Sequence, residues 1–419
     1  MVAVAIFLLS YGLIISDKIH RAVVSLTGAV AVIVLGILSQ EEAVHGIDFN
    51  TIGLLVGMMI IVGITRRSGV FEYMAIKAAK ASRGDPVKLL VLLTVITAVV
   101  SSMLDNVTAV LLIVPVTFSV ADRLKVDCLP FLLAEVIGSN IGGTATLIGD
   151  PPNILIGGAT HLGFLDFIVN LTPVIVVVLA VTVVIMVFMF RGGFKVAEED
   201  KQKVMELDEI AAIKDYGILK KSLIVLALTL GGFFLHQFLQ LESATIALAG
   251  AALLMLVTAE EPEDILLSVE WPTIFFFIGL FVLVESLVKV GVIGYIAQES
   301  LNITRGDLTL TAMLVLWLSG IASAFVDNIP FVTAMIPLLK SVGQLSGMPM
   351  DPLWWSLALG ACLGGNGTLI GASANVVVAG LSAKYGKPIS FIDFLKVGFP
   401  LMIVSLIICT GYIYVRYLI

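Results

Sequence analysis

Residues 142–153 read Gly-Gly-Thr-Ala-Thr-Leu-Ile-Gly-Asp-Pro-Pro-Asn, and residues 364–375 read Gly-Gly-Asn-Gly-Thr-Leu-Ile-Gly-Ala-Ser-Ala-Asn. Seven of the twelve positions are identical, at an offset of 222 residues. The same offset pairs Asp105-Asn106 with Asp327-Asn328 and Pro115 with Pro337. It also pairs Thr51 with Thr273, Gly57 with Gly279, Gly69 with Gly291 and Gly28 with Gly250. One register held over that distance marks an internal duplication.

The composition says where the duplicated unit lives. Of 419 residues, 59% are hydrophobic and 13% charged, with a mean hydropathy of +1.09. Soluble domains average about 45–50% apolar and roughly 25% charged, and a water-soluble fold of this size cannot hide the excess. The apolar residues come in blocks matching the roughly 30 Å hydrocarbon layer, so the chain reads as a polytopic helical membrane protein. A net charge of −7 with no basic patch argues against nucleic acid. Cys128, Cys362 and Cys409 are too scattered for a disulfide framework or a CxxC metal site, and His20, His45, His161 and His236 stand singly. No GxxxxGK[ST] is present. The first sixteen residues lack a basic n-region and an A-x-A cleavage site and read as a first span, not a signal peptide. A carrier is expected, not an enzyme, with no cofactor and no metal.

Two apolar stretches, about 88–122 and 309–340, are each interrupted by an Asp-Asn cluster and read as re-entrant hairpins. Two others, about 128–158 and 353–380, carry too many Gly and Pro residues for a continuous helix. The expected fold is all-α and polytopic, with two repeats of five transmembrane helices plus one hairpin, and one broken helix per repeat. The repeats occupy 1–190 and 223–419, joined by a polar linker at 191–222. An odd number of crossings per repeat makes them inverted, the build of secondary transporters. With the N-terminus outside, 20 of the 24 Lys and Arg residues fall on one side, Arg21 and the linker among them. That asymmetry predicts a multi-pass protein of the cytoplasmic (inner) membrane with the linker in the cytoplasm.

The interruptions are where chemistry is expected, because non-helical backbone at membrane depth persists only against protein or a water-filled cavity. A carboxylate at the bilayer centre costs about 2.5–3.5 kcal/mol even on the lenient insertion scale. Asp105 and Asp327 at the hairpin tips are therefore expected to bind a cation or carry a proton, besides capping the helices they precede. Asp150 has Ala372 as its twin and is the natural source of asymmetry, as a third proton carrier or merely as a turn residue before Pro-Pro. Substrate and ion contacts are expected from Asn106, Thr108 and Asn328 at the tips. The breaks should add Gly142, Gly143, Thr144, Thr146 and Asn153, and Gly364, Gly365, Asn366, Thr368, Ser373 and Asn375. Glu135, Glu285 and Cys362 are weaker candidates. No Lys or Arg lies in either tip or break, so a neutral oxyacid, a cation or a proton is expected in preference to a polyanion.

These four motifs carry a family resemblance. SSMLDNVTAVLLIVPV with AEVIGSNIGGTATLIGDPPNILIGG, and SAFVDNIPFVTAMIPLL with LGACLGGNGTLIGASANVVVAG, resemble the ion transporter superfamily. The closest likeness is to its ArsB/NhaD branch of arsenite/antimonite efflux pumps, NhaD-type antiporters and P protein-like permeases. The likeness spans nearly the whole chain. It implies a scaffold, a transport domain holding hairpins and broken helices, and elevator-like movement. Dicarboxylate carriers of the superfamily place Ser-Asn-Thr at both tips; here Asp replaces Ser, and Val107 or Ile329 replaces Thr, against carboxylate uptake. The resemblance implies export of arsenite or antimonite in exchange for H+, with sodium/proton antiport, anion carriage and a channel-like conductance as alternatives. Superfamily analogy points to a homodimer, and some relatives gain a soluble ATPase partner.

Overall fold

Long apolar segments cut by Gly, Pro and Asp fold as helices, and the cuts fall at the same places in both halves. The computed structural model describes residues 1–16, 18–160 and 162–419, with backbone alone for 236–238. Asp17, His161 and the side chain of His236 lie outside the described residues. The first half runs α1 Val2–Ser16, α2 Arg21–Val34, α3 Gln40–His45, α4 Phe49–Arg67 and α5 Val70–Ala81. It continues with α6 Pro86–Met103, α7 Asn106–Leu124, α8 Leu129–Thr144, α9 Pro151–Ala159 and α10 Phe164–Phe190. After α11 Glu198–Met205 the second half follows as α12 Tyr216–Leu239, α13 Ser243–Thr258, α14 Pro262–Leu266, α15 Trp271–Lys289 and α16 Val292–Thr304. It ends with α17 Leu308–Phe325, α18 Asn328–Ser346, α19 Asp351–Gly364, α20 Ser373–Lys384 and α21 Phe391–Ile413. No strand occurs among the described residues. Nine of these helices are long and apolar enough to cross a membrane, while α1, α2 and α13 are shorter apolar helices.

The duplication is visible in the helix boundaries. Helices α4, α6 and α7 map onto α15, α17 and α18 at both ends, each 222 residues on. Packing is exchanged in the same way: α2 lies on α15 while α4 lies on α13, and α9 lies on α18 while α20 lies on α7. Such reciprocal contacts are those of a pseudo-twofold axis, with α8 against α19 near it.

Three details differ from the sequence reading. Helices α5 and α16, which no sequence motif had marked, are amphipathic connectors, each entered through a left-handed glycine: Gly69 at φ +81° and Gly291 at φ +79°. A side chain at that φ is disfavoured, which explains why this glycine pair survives in both repeats. Helix α12 begins at Tyr216, so the linker ends earlier than residue 222. The linker is also strapped down. Lys80 Nζ donates to Leu207 O at 3.1 Å and to Glu209 Oε2 at 2.5 Å, and Lys214 N donates to Ser68 O at 2.9 Å.

Close backbone approach fixes the hairpins on the broken helices. A Cβ on Gly142 would stand 2.0 Å from Ala98 O, and one on its twin Gly364 would stand 2.5 Å from Gly320 O. Only glycine lets α6 meet α8, and α17 meet α19, at this distance.

Candidate substrate and ion site

Each broken helix stops where its sequence can no longer supply i→i+4 partners, and side-chain amides take over the freed carbonyls. Asn153 Nδ2 donates to Thr144 O at 3.0 Å and Thr146 O at 2.8 Å; Asn375 Nδ2 donates to Gly365 O and Thr368 O, both at 2.8 Å. The breaks are then tied to the hairpins. Thr146 Oγ1 donates to Ser102 O and Thr368 Oγ1 to Ala324 O, each at 2.5 Å and again 222 residues apart. Ser101 Oγ donates to Ser139 O, and Ser323 Oγ to Ala361 O, each at 2.7 Å.

Between the two tips lies Asp150, with 0% of its surface exposed. Its Oδ1 accepts from Asn106 Nδ2 of the first tip and Asn328 Nδ2 of the second, each at 3.3 Å. Its Oδ2 has no partner. Asp150 stands at the N-terminus of α9, where its carbonyl accepts from Asn153 N at 3.0 Å while its side chain makes no capping hydrogen bond. A buried carboxylate oxygen without a donor is costly.

The tip aspartates behave differently from each other. Both Asp105 oxygens serve the start of α7, accepting from Thr108 N at 2.9 Å and from Thr108 Oγ1. Asp327 accepts from Ile329 N at 3.0 Å through Oδ1, while its Oδ2 accepts from Ser373 Oγ at 2.8 Å and from Arg21 Nη1 at 3.1 Å. Arg21 Nη1 also donates to Ser373 Oγ at 2.7 Å, and the guanidinium lies 5.1 Å from the Phe276 ring centroid. This corrects the expectation of a site without a fixed cation. The reason is helix length: α1 and α2 have 15 and 14 residues, about 22 and 21 Å at 1.5 Å per residue. The turn between these two helices, each shorter than the roughly 30 Å hydrocarbon layer, brings Arg21 to the hairpin tip.

Two more residues escaped the sequence reading. Asn140 is the hub of the interior, accepting from Asn106 Nδ2 at 3.1 Å and donating to Asn366 Oδ1 and Asn375 Oδ1, both at 2.9 Å. It was legible as an uncharged amide inside an apolar span, one turn before Thr144. Its twin is Cys362, whose Sγ lies 3.6 Å from Asn153 Oδ1. Glu270 precedes α15 and lines one small cavity with Arg21, Asp105, Asp150, Thr273 and Asn328. That cavity measures about 30 Å³, room for one or two waters.

The remaining candidates are placed as follows. Gly142 and Gly364 face the hairpins and not the cavity, whereas Gly143 approaches Gly149 and Gly365 approaches Gly371, holding each break tight. Thr144 Oγ1 donates within its own helix to Asn140 O at 2.7 Å. Asn366 Nδ2 donates to Ile137 O at 3.4 Å. Glu135 is fully buried away from the tips, accepts from Thr117 Oγ1 through Oε1, and leaves Oε2 unpartnered. Glu285 lies on a separate cavity of about 450 Å³ bordered by Asp48, Thr333 and Lys340.

Duplicated apolar helices, paired hairpins and broken helices meeting around a buried acid define a membrane transporter, and the similarities agree. The family model described as citrate transporter, CitMHS, matches residues 11–360, and the chain belongs to that family, within the ion transporter superfamily. It is 45% identical over 423 residues to an uncharacterised transporter of Mycobacterium bovis, covering 100% of this chain and 98% of that one. It is 34% identical over 502 residues to the P protein of Homo sapiens, covering 100% of this chain and 60% of that protein. Its fold resembles the crystal structure of the YdaH transporter of Alcanivorax borkumensis, with a TM-score of 0.61, 12% identity and coverage of 89% and 86% of the two chains.

Proposed function

We propose that this transporter is a proton-coupled carrier working by alternating access, in which the hairpins and broken helices move as one body against α1, α2, α4, α12, α13 and α15. The single observation that carries the reading is the acidity of the tip cavity. Three carboxylates, Asp105, Asp150 and Glu270, line it with Arg21, whose guanidinium is paired with a fourth, Asp327, beside it. Such a site favours protons or small cations and repels a free tricarboxylate such as the citrate of the family's description. A neutral oxyacid is not repelled. Arsenous or antimonous acid would meet the amides of Asn106 and Asn328 and the free oxygen of Asp150, with H+ moving the other way. Under this reading the linker face is cytoplasmic, as the distribution of Lys and Arg favours, and the direction is efflux across the cell membrane.

A second reading is supported by the same acidity together with the small cavity: sodium/proton antiport, with Asp150 and the tip carboxylates as cation ligands. Vesicles with the linker face outward separate the two. An interior acidified relative to the medium should drive arsenite accumulation without sodium, and a protonophore should abolish it. Sodium-dependent dissipation of the gradient with no arsenite flux would replace the first reading by the second. Citrate uptake insensitive to both would overturn both.

A further inference from the structure

The twofold relation is broken most sharply at Arg21. Its twin is Ser243, so the second tip has a cationic partner and the first has none. Tyr11 reinforces the asymmetry: its hydroxyl donates to Pro330 O of the second hairpin at 2.5 Å, and its twin is Phe233. The helices α1 and α2 thus hydrogen-bond to the second hairpin through Tyr11 and Arg21.

The other half of the relation lies at the start of α4 and α15. Glu270 and Thr273 border the tip cavity beside Asp105; their twins are Asp48 and Thr51. Asp48 borders the 450 Å³ cavity, whose far wall is α18 from Thr333 to Gln344. Thr333 is six residues beyond Asp327, so sliding the second hairpin along its own axis by about 9 Å would bring its tip to the edge of the cavity that Asp48 borders. Exchanging the roles of the repeats gives the same pairing: Asp327 beside Asp48 and Thr51, and Asp105 beside Ser243.

Resting on the alternating-access reading above, we propose that Arg21 is a built-in counter-ion that discharges Asp327 on the linker side. In the state seen here Asp327 is paired with Arg21. In the exchanged state its neighbour is another carboxylate, Asp48, so Asp327 takes up a proton or small cation there from the opposite side. On return, Arg21 replaces that cation, which leaves to water through the opening lined by His20, Arg21 and Val326. The guanidinium stays charged throughout, and one positive charge crosses per cycle. Asp327 lines the opening with Arg21 and His20, and Asp105, Asp150 and Glu270 line the neighbouring tip cavity that Arg21 also borders.

The test reads conformation and not substrate. Spin labels at Glu41→Cys on α3 and Gln344→Cys on α18, in a background with the three native cysteines replaced, report the width of the larger cavity by electron–electron distance. In proteoliposomes the parent should show one dominant distance at pH 8 and a second population at pH 5. Arg21→Gln should shift the pH 8 populations about tenfold away from the state described here, equivalent to about 1.4 kcal/mol. Arg21→Lys should retain most of the parent distribution, and Arg21→Asp with Asp327→Arg should restore the pH 8 distance while removing its pH response. A parent that switches while Arg21→Gln is indistinguishable from it would overturn the counter-ion role alone. A parent with one distance under every condition would remove the alternating-access reading and the proposal with it.

Discussion

Asp150→Asn and Asp150→Ala together isolate what the buried carboxylate does. Asparagine keeps the shape and an oxygen able to accept from Asn106 and Asn328, whose amides reach Asp150 Oδ1 at 3.3 Å. It removes the titratable group and puts an NH2 donor in place of the second oxygen. Alanine removes the acceptor of Asn328 Nδ2, while Asn106 Nδ2 keeps Asn140 Oδ1, so closure of the tips should weaken by about 1–3 kcal/mol. A gradient of two pH units driving one-for-one exchange supports at most about 100-fold accumulation, because each unit is worth about 1.4 kcal/mol. In proteoliposomes Asp150→Asn should let the internal concentration rise only to the external one, with the melting temperature near that of the parent. Asp150→Ala should lose both accumulation and thermal stability. Uphill transport by Asp150→Asn at the parent's ratio would refute the assignment of the coupled proton to Asp150, whatever the substrate.

Other consequences are equally direct. Gly142→Ala should destabilise more than Gly364→Ala, since the added Cβ meets backbone oxygen at 2.0 Å in one case and 2.5 Å in the other; a cost of about 3 kcal/mol corresponds to a fall of about 6 °C in a thermal melt. Asn140→Cys, which copies its twin, should keep the fold but loosen the links to Asn106, Asn366 and Asn375, and hydrogen exchange should rise at both breaks together. At the linker, Lys203 and Lys125 hold the Asp200 carboxyl below its ordinary range, and Lys80 does the same for Glu209. A lowered folded-state value contributes stability that is present above the ordinary carboxylate range and lost as pH falls through it. Protease cleavage between 195 and 215 should therefore accelerate below about pH 4, and Lys80→Ala should bring the same acceleration at neutral pH. Unchanged cleavage in Lys80→Ala would show that the strap does not hold the linker.

Much of the site was legible before any coordinate. Asp105, Asp150 and Asp327 stood out because charge inside an apolar run is expensive. Asn153, Asn375, Thr146 and Thr368 stood out because a broken helix must satisfy its freed groups. What they would touch was less visible. Thr108 looked like a ligand and serves as part of the cap on α7. Gly142 looked like part of the site and is a packing contact.

By itself the sequence determined the membrane fold, because hydropathy, helix-breaking residues and a 222-residue repeat are local properties that add along the chain. The tertiary structure decided which charges meet. Arg21 and Asp327 are 306 residues apart, and nothing local separates an arginine in a surface loop from one in a turn that stops short. That depth depends on the lengths of α1 and α2 and on the approach of the second hairpin. The pairing of the tips through Asp150 is likewise a product of the twofold packing of the repeats, which places groups from 106, 150 and 328 within hydrogen-bond reach.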